Sequence, residues 1–299
     1  MAGASAFFVS FVTVQYAAFI GCCLIWGSTF LAIRIGNQSL PPEWAATLRL
    51  ILAAPLLALI VVVRRDRWPR GGALQGALLF GIFNFGVNLG LLYWGERVVP
   101  SGIAAVLYAT VPLSTSFVAA ALGVEHLAAG KVITALVAIA GVATIFAAEM
   151  RFDVPFEGLL AVFLAATAAS LSSVLLKRAP AQPSVFATNS VGAAAGAVIT
   201  LIASLVLGED HSLPMTLPAI WPVIYLTLAG SLGAYVLWTW LVGHWSVTNA
   251  SYVGVVVPVI AVILGAIVLQ ETRSPETYLG AAIVLVAVVA ALRGGASTH

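Results

Sequence analysis

Arg49 interrupts a long apolar run, PPEWAATLRLILAAPLLALIVVV (residues 41–63), about seven residues after its start. If the run is a helix, that depth is ~10 Å, where an unpaired charge in lipid costs at least a few kcal/mol. Arg49 therefore either receives a carboxylate from a ligand or a gate, or snorkels to the surface and binds helix-end carbonyls. Asn84 and Asn88 lie one turn apart on one helix face, where their amides need partners from other helices or from a wet cavity. Thr227, Ser231, Tyr235 and Trp238 form a second stripe at helical spacing. Its aromatic end suits an amphipathic molecule, although a Trp can equally belong to an interfacial belt. Trp26 is too deep in its run for such a belt, and its indole N–H needs an acceptor. With Thr29 one turn on, Trp26 is the leading cavity residue, and Tyr93, Tyr108 and Tyr252 are further ones.

Other chemistry is missing. No H-E-x-x-H, G-x-S-x-G or paired mid-helix aspartates occur, so an intramembrane enzyme has no catalytic set. No G-x-x-x-x-G-K-[ST] loop provides for ATP, and no lysine lies inside a helix for a retinal-type chromophore. Cys22 and Cys23 are adjacent in an apolar stretch, a placement that suits neither a disulfide nor a metal site. Neither a metal nor a cofactor is expected.

The elements that position these residues follow from composition. Of 299 residues, 62% are hydrophobic and 8% charged, against about 25% charged in a soluble domain. The solvent must therefore be lipid. A net charge of +2 with no long basic run excludes nucleic acid as a partner. The first dozen residues lack the basic start of a signal peptide and read as the lead-in to a retained helix. Charged, proline and glycine clusters cut the chain into ten pieces of about the ~20 residues a bilayer requires. The pieces are 12–35, 42–63, 73–94, 101–122, 128–148, 156–177, 184–207, 219–242, 246–269 and 276–293. Each is about twice the length of a barrel strand, so the expected fold is an all-α integral membrane protein of ten transmembrane helices. With the N-terminus inside, inner segments hold eight Lys and Arg residues and outer segments four. The basic excess places both termini in the cytoplasm.

Shifting the chain by 146 residues aligns 91–125 with 237–271, with seven identities in 35 positions. They include Trp94 with Trp240, Pro112 with Pro258 and Glu125 with Glu271. An offset of half the chain spans five helices, and an odd number turns the second copy upside down. Residues 1–150 and 151–299 are therefore expected to be two inverted five-helix repeats forming one structural unit, as in secondary transporters. Pro112 and Pro258 each free a carbonyl and soften a helix, which makes them hinge candidates. Glu125 and Glu271 fall at helix ends and are expected to cap the following helix. His244, in a tight inner hairpin, is the titratable group nearest a second-half gate. The stripe Thr188, Gly192, Gly196 and Thr200 reads as close helix packing.

WGSTF (Trp26–Phe30), the proline-started PPEWAATLR ending at Arg49, and the two proline-to-glutamate hairpins together resemble the EamA branch of the drug/metabolite transporter superfamily. The resemblance spans essentially the whole chain. It implies ten helices in two inverted repeats, a bacterial inner-membrane location, and alternating-access transport of a small organic solute. Length and aromatic content resemble exporters of the aromatic amino acid type, so the expected substrate is an amino acid or a similar amphipathic metabolite. A multidrug or nucleotide-metabolite carrier of the same fold, or a non-saturable channel, is the alternative. The carrier is expected to act as a monomer or a homodimer. One departure stands out: the second half reads AATAASLSSV where a copy of WGSTF would fall, so the halves need not contribute equally. Every Asp and Glu lies at a helix end or in a loop, which favours facilitated diffusion or exchange and leaves His244 or substrate charge as routes to proton coupling.

Overall fold

A computed structural model describes residues 2–127, 129–149, 154–213 and 215–268, with parts of 275–290; side chains are described from residue 14. The described residues are helical, with no strand among them. Thirteen α-helices follow one another: α1 (Ala2–Gly36), α2 (Pro42–Arg64), α3 (Gly72–Phe80), α4 (Leu89–Gly95), α5 (Ser101–Leu107), α6 (Val111–Ala121), α7 (Ala129–Glu149), α8 (Phe156–Arg178), α9 (Val185–Val206), α10 (Leu217–Tyr225), α11 (Tyr235–His244), α12 (Val247–Ser251) and α13 (Val253–Val268). Several run on into one another. A π-helical stretch, Gly81–Asn88, joins α3 to α4, and another, Leu226–Ala234, joins α10 to α11. A 3₁₀ turn, Tyr108–Thr110, joins α5 to α6.

Among the described residues, seven helical spans are long and apolar enough to cross a membrane, and two shorter apolar helices accompany them at Val132–Gly141 and Val247–Ala261. The protein is a multi-pass membrane protein. The seven spans correspond to the first four and the sixth to eighth pieces expected from sequence. Half of the expected piece 276–293 lies outside the described residues, as does Glu271.

Helix starts follow local chemistry. Proline stands at the first turn of α2 and caps α5 at Pro100, where a missing N–H costs nothing. Ser246 caps α12 by accepting the Asn249 N–H at 3.1 Å. The helices then pack across the midpoint of the chain: α2 lies along α9, α1 along α13, and α4 and α6 against α8. Small residues permit the closest crossing. A Cβ on Gly81 would stand 2.5 Å from the Gly192 backbone, and one on Gly196 would stand 2.3 Å from Phe85 Cβ. Thr200 continues the stripe, accepting the Thr47 hydroxyl at 2.9 Å. The four-residue spacing of α9 is thus a packing seam.

Helix ends place three of the singled-out residues. Pro112 lies in the first turn of α6, just after the 3₁₀ turn, within the helical span Ser101–Ala121. Pro258 is inside α13 as expected. Glu125 caps a helix from the other half of the chain. Its Oε1 accepts the Val247 N–H at 2.6 Å and the Thr248 N–H at 3.4 Å, at the start of α12. The loop after α6 thereby holds an element from the other half of the chain.

Candidate functional site

The cavity at the centre of the bundle begins with Arg49. It is 2% exposed, and its position on α2 points it toward the π-helical stretch Leu226–Ala234. There its Nε–H donates to Ser231 Oγ at 2.8 Å, and the Thr227 hydroxyl donates to the Arg49 carbonyl at 3.3 Å. One terminal nitrogen donates to the Tyr93 hydroxyl at 3.4 Å, and the guanidinium carbon stands 5.9 Å from the Tyr235 ring centroid. Gly230 makes room for it, since a Cβ there would stand 2.7 Å from Arg49 Nη2. Among the described residues the only ion pair within 4 Å joins Arg64 to Asp66. Arg49 is therefore a buried cation held by neutral groups alone.

A cavity of about 80 Å³ opens beside it, with Trp26, Thr29, Arg49, Asn84, Asn88, Tyr108, Tyr235 and Trp238 all in its wall. The Trp26 ring lies 5.2 Å from Tyr235 and 5.3 Å from Trp238, and Phe30 meets Tyr108 edge-on at 5.3 Å. Trp26 has no acceptor for its indole N–H among the described residues. On the opposite wall Asn88 donates to Asn84 Oδ1 at 2.9 Å and accepts the Tyr108 hydroxyl. The arrangement gives one cation, an aromatic wall and a neutral amide pair around one space. It is suited to binding, with no nucleophile and base in contact.

Eight of the ten residues expected in the cavity line it, and two do not. Tyr93 is buried behind Arg49, orienting the guanidinium while its carbonyl accepts the Asn37 amide at 2.8 Å. Tyr252 sits at the break between α12 and α13 and bonds Thr134 of α7; its neighbours Ser251 and Gly254 line the space instead. His244 is exposed, stacks on Trp240 at 4.2 Å, and lies outside the cavity. α8 contributes only the small Ala169 and Ser173, where α1 contributes Trp26 and Thr29. The two halves therefore contribute unequally, as the absence of a second WGSTF element suggests.

A second, larger hollow of about 420 Å³ begins within one turn of the first along α8 and α11, from Leu176 and Thr239 to Lys177, Gln182 and His244. Lys177 Nζ donates to the Val242 and Trp245 carbonyls at 2.8 and 2.9 Å, closing the end of α11. At the opposite end the bundle is tied shut. Glu209, after α9, accepts the Glu43 and Trp44 N–H groups at 3.2 and 2.8 Å. Ser204 donates to the same carboxylate, and Trp44 Nε1 donates to the Ser212 carbonyl. Arg34 of α1 donates to the Glu96 and Arg97 carbonyls at 2.6 and 2.7 Å.

Sequence reasoning missed Glu96, which is fully buried although it lies in the turn between α4 and α5. Burial pushes its carboxyl well above the usual carboxylate range, and the nearby Arg34 guanidinium only partly offsets this.

The EamA-like transporter family matches the chain twice, over residues 13–147 and 156–293. The chain belongs to that family. It is 30% identical over 275 residues to the uncharacterized inner membrane transporter YedA of Escherichia coli K12, covering 92% of this chain and 89% of YedA. A probable amino-acid metabolite efflux pump of Salmonella typhimurium is 23% identical over 272 residues, covering 88% of this chain and 89% of the pump. A solved crystal structure 18% identical in sequence superposes with a TM-score of 0.74, covering 93% of this chain and 96% of that one. The fold is shared, and the function class is solute transport rather than catalysis.

Proposed function

We propose that this EamA carrier moves small amphipathic carboxylates by alternating access, and that amino acids with aromatic or hydrophobic side chains, exported from the cell, are its substrates. The observation that carries the reading is Arg49: a buried guanidinium, fixed by Ser231 and Tyr93, beside a cavity and without a carboxylate partner among the described residues. A substrate carboxylate would supply the missing charge and make a charge-assisted hydrogen bond. Trp26, with an indole N–H in need of an acceptor, stands in the same wall. Trp26, Tyr235 and Trp238 would take the apolar side chain, and Asn84 and Asn88 the ammonium group.

The transport cycle rests on a ten-helix, two-repeat architecture. Two observations support it. The family matches each half separately, and the irregular backbone recurs at the sequence offset. Helices α5 and α12 begin at Ser101 and Val247, 146 positions apart, and each breaks just before its proline-bearing partner. The π-helical stretches begin at Gly81 and Leu226, 145 positions apart. With the charge rule placing both termini inside, the tied end faces outward and the larger hollow faces the cytoplasm. The amino-acid reading also accords with the description of the Salmonella relative.

Uptake of a radiolabelled aromatic amino acid into proteoliposomes preloaded with unlabelled solute tests this reading. Amino acids should compete and nucleosides and cationic drugs should not; if no amino acid competes, the substrate class is wrong.

A further inference from the structure

At the tied end of the bundle, the turn between α4 and α5 carries Glu96 with its side chain wholly buried and neither carboxyl oxygen hydrogen bonded. Its backbone is clamped at the same point, because Arg34 holds the Glu96 and Arg97 carbonyls. The arginine nearest the carboxyl is thus occupied by the main chain, and no ion pair forms within 4 Å among the described residues. A second acid, Glu43, is 5% exposed at the start of α2, packed against Gly90 and also with an unpartnered oxygen. An ionised carboxylate taken out of water without a partner costs several kcal/mol. A cluster that buries one on closing therefore has a reason to close around a proton.

We propose that Glu96 is the proton-binding site of this carrier: its carboxyl takes up a proton when the outer end closes around it and returns that proton when the end opens to water. This rests on the alternating-access reading above and adds to it a coupling ion. The groups that face the site from each packed element set its sign. Arg34 of α1 favours the ionised form of Glu96, against the burial that opposes it. Glu209 of the α9–α10 loop and Arg97 stand within electrostatic reach of the second acid, Glu43 of α2, and His211 of that loop meets Ser204 of α9. Tyr93 of α4 and Tyr108 of the 3₁₀ turn are within electrostatic reach of Glu96. Tyr93 also bonds Arg49, so substrate charge and the proton site share a neighbour. The proton site need not sit at the midplane; a carboxyl at a gate is hidden from water in one state and exposed in the other.

The sign follows from linkage. Between the ordinary glutamate value of about 4.3 and its raised folded value, Glu96 holds its proton in the closed form and loses it on opening or unfolding. The closed form is therefore favoured at low pH and weakened as pH rises, by up to about tenfold per pH unit for one proton.

The test places a cysteine in the cavity wall, Leu92→Cys, in a Cys22→Ala, Cys23→Ala background. A membrane-impermeant maleimide is applied from each face of the membrane separately, from about pH 6 to about pH 9, a range around the neutral region. Labelling from the outer face should rise with pH several-fold beyond the thiol's own ionisation, and Glu96→Gln should remove that excess. Identical pH profiles with and without Glu96→Gln overturn the proposal. If the pH-dependent labelling comes from the opposite face, the topology is wrong but the proton site stands. A second measurement needs no transport. The thermal midpoint of the detergent-solubilised carrier should fall as pH rises through neutrality, less steeply in Glu96→Gln, and equal slopes overturn the proposal.

Discussion

At the scale of single residues, three neutral groups fix a cation that has no carboxylate partner among the described residues. Ser231 takes Arg49 Nε–H, Tyr93 takes a terminal N–H, and the Tyr235 ring lies 5.9 Å away. A lysine cannot reproduce that fork, because its ammonium is a point charge without planar geometry. Arg49→Lys should weaken apparent substrate affinity, and Arg49→Gln should weaken it more. A charge-assisted hydrogen bond contributes about 1.5–3 kcal/mol, so the loss is about 10- to 100-fold, read from the half-saturation of flux. Ser231→Ala should cost less, about 1 kcal/mol, because the charge remains while its direction loosens. Arg49, Asn84 and Trp26 are legible in sequence for one reason: a polar group inside an apolar run must find a partner. Glu96 is not. A glutamate in a short turn reads as solvated, and only the packing of α1, α2 and α4 around it removes the water.

The elements are where sequence periodicity reaches its limit. A 3.6-residue repeat predicts which residues share a face only while the helix stays regular. Tyr93 stands five residues beyond Asn88, about 140° away around a regular helix, so the face that carries Asn84 and Asn88 into the cavity does not carry Tyr93 with it. Tyr252 is displaced for a different reason, since it stands at a break rather than within a helix. The close crossing of α9 with Gly81–Asn88 is more legible, because small residues at four-residue steps have no other use in lipid. Gly81→Ala pushes a methyl to 2.5 Å from the Gly192 backbone. Overpacking of this kind costs about 1–3 kcal/mol, seen as a lower thermal midpoint in detergent, with Gly130→Ala as a contrast whose site is open. Glu125→Ala removes a cap from α12 and should cost about 0.5–2 kcal/mol by the same measurement.

For the whole molecule, the ends of the bundle differ. One is closed by Glu209, Arg34 and Trp44, and the other holds a hollow of about 420 Å³. An alternating-access carrier must open the first as it closes the second. Breaking the tie with Glu209→Ala frees the Glu43 and Trp44 N–H groups and should raise outer-face labelling of the Leu92→Cys variant several-fold at fixed pH. The all-helical, multi-pass character was legible because long apolar segments are a property of composition and length. Two features were not, namely how α1 and α8 divide the cavity wall and which loop caps which helix. Both depend on contacts between residues more than a hundred positions apart.

Counterflow tests the central claim most directly. Liposomes carrying the protein are loaded with an unlabelled aromatic amino acid, and entry of the labelled form is followed. A carrier with Arg49 as carboxylate ligand predicts saturable, trans-stimulated entry, blocked by other hydrophobic amino acids but not by their decarboxylated amines. Arg49→Gln should reduce it strongly. Linear, unstimulated entry, or equal inhibition by the amines, would contradict the account.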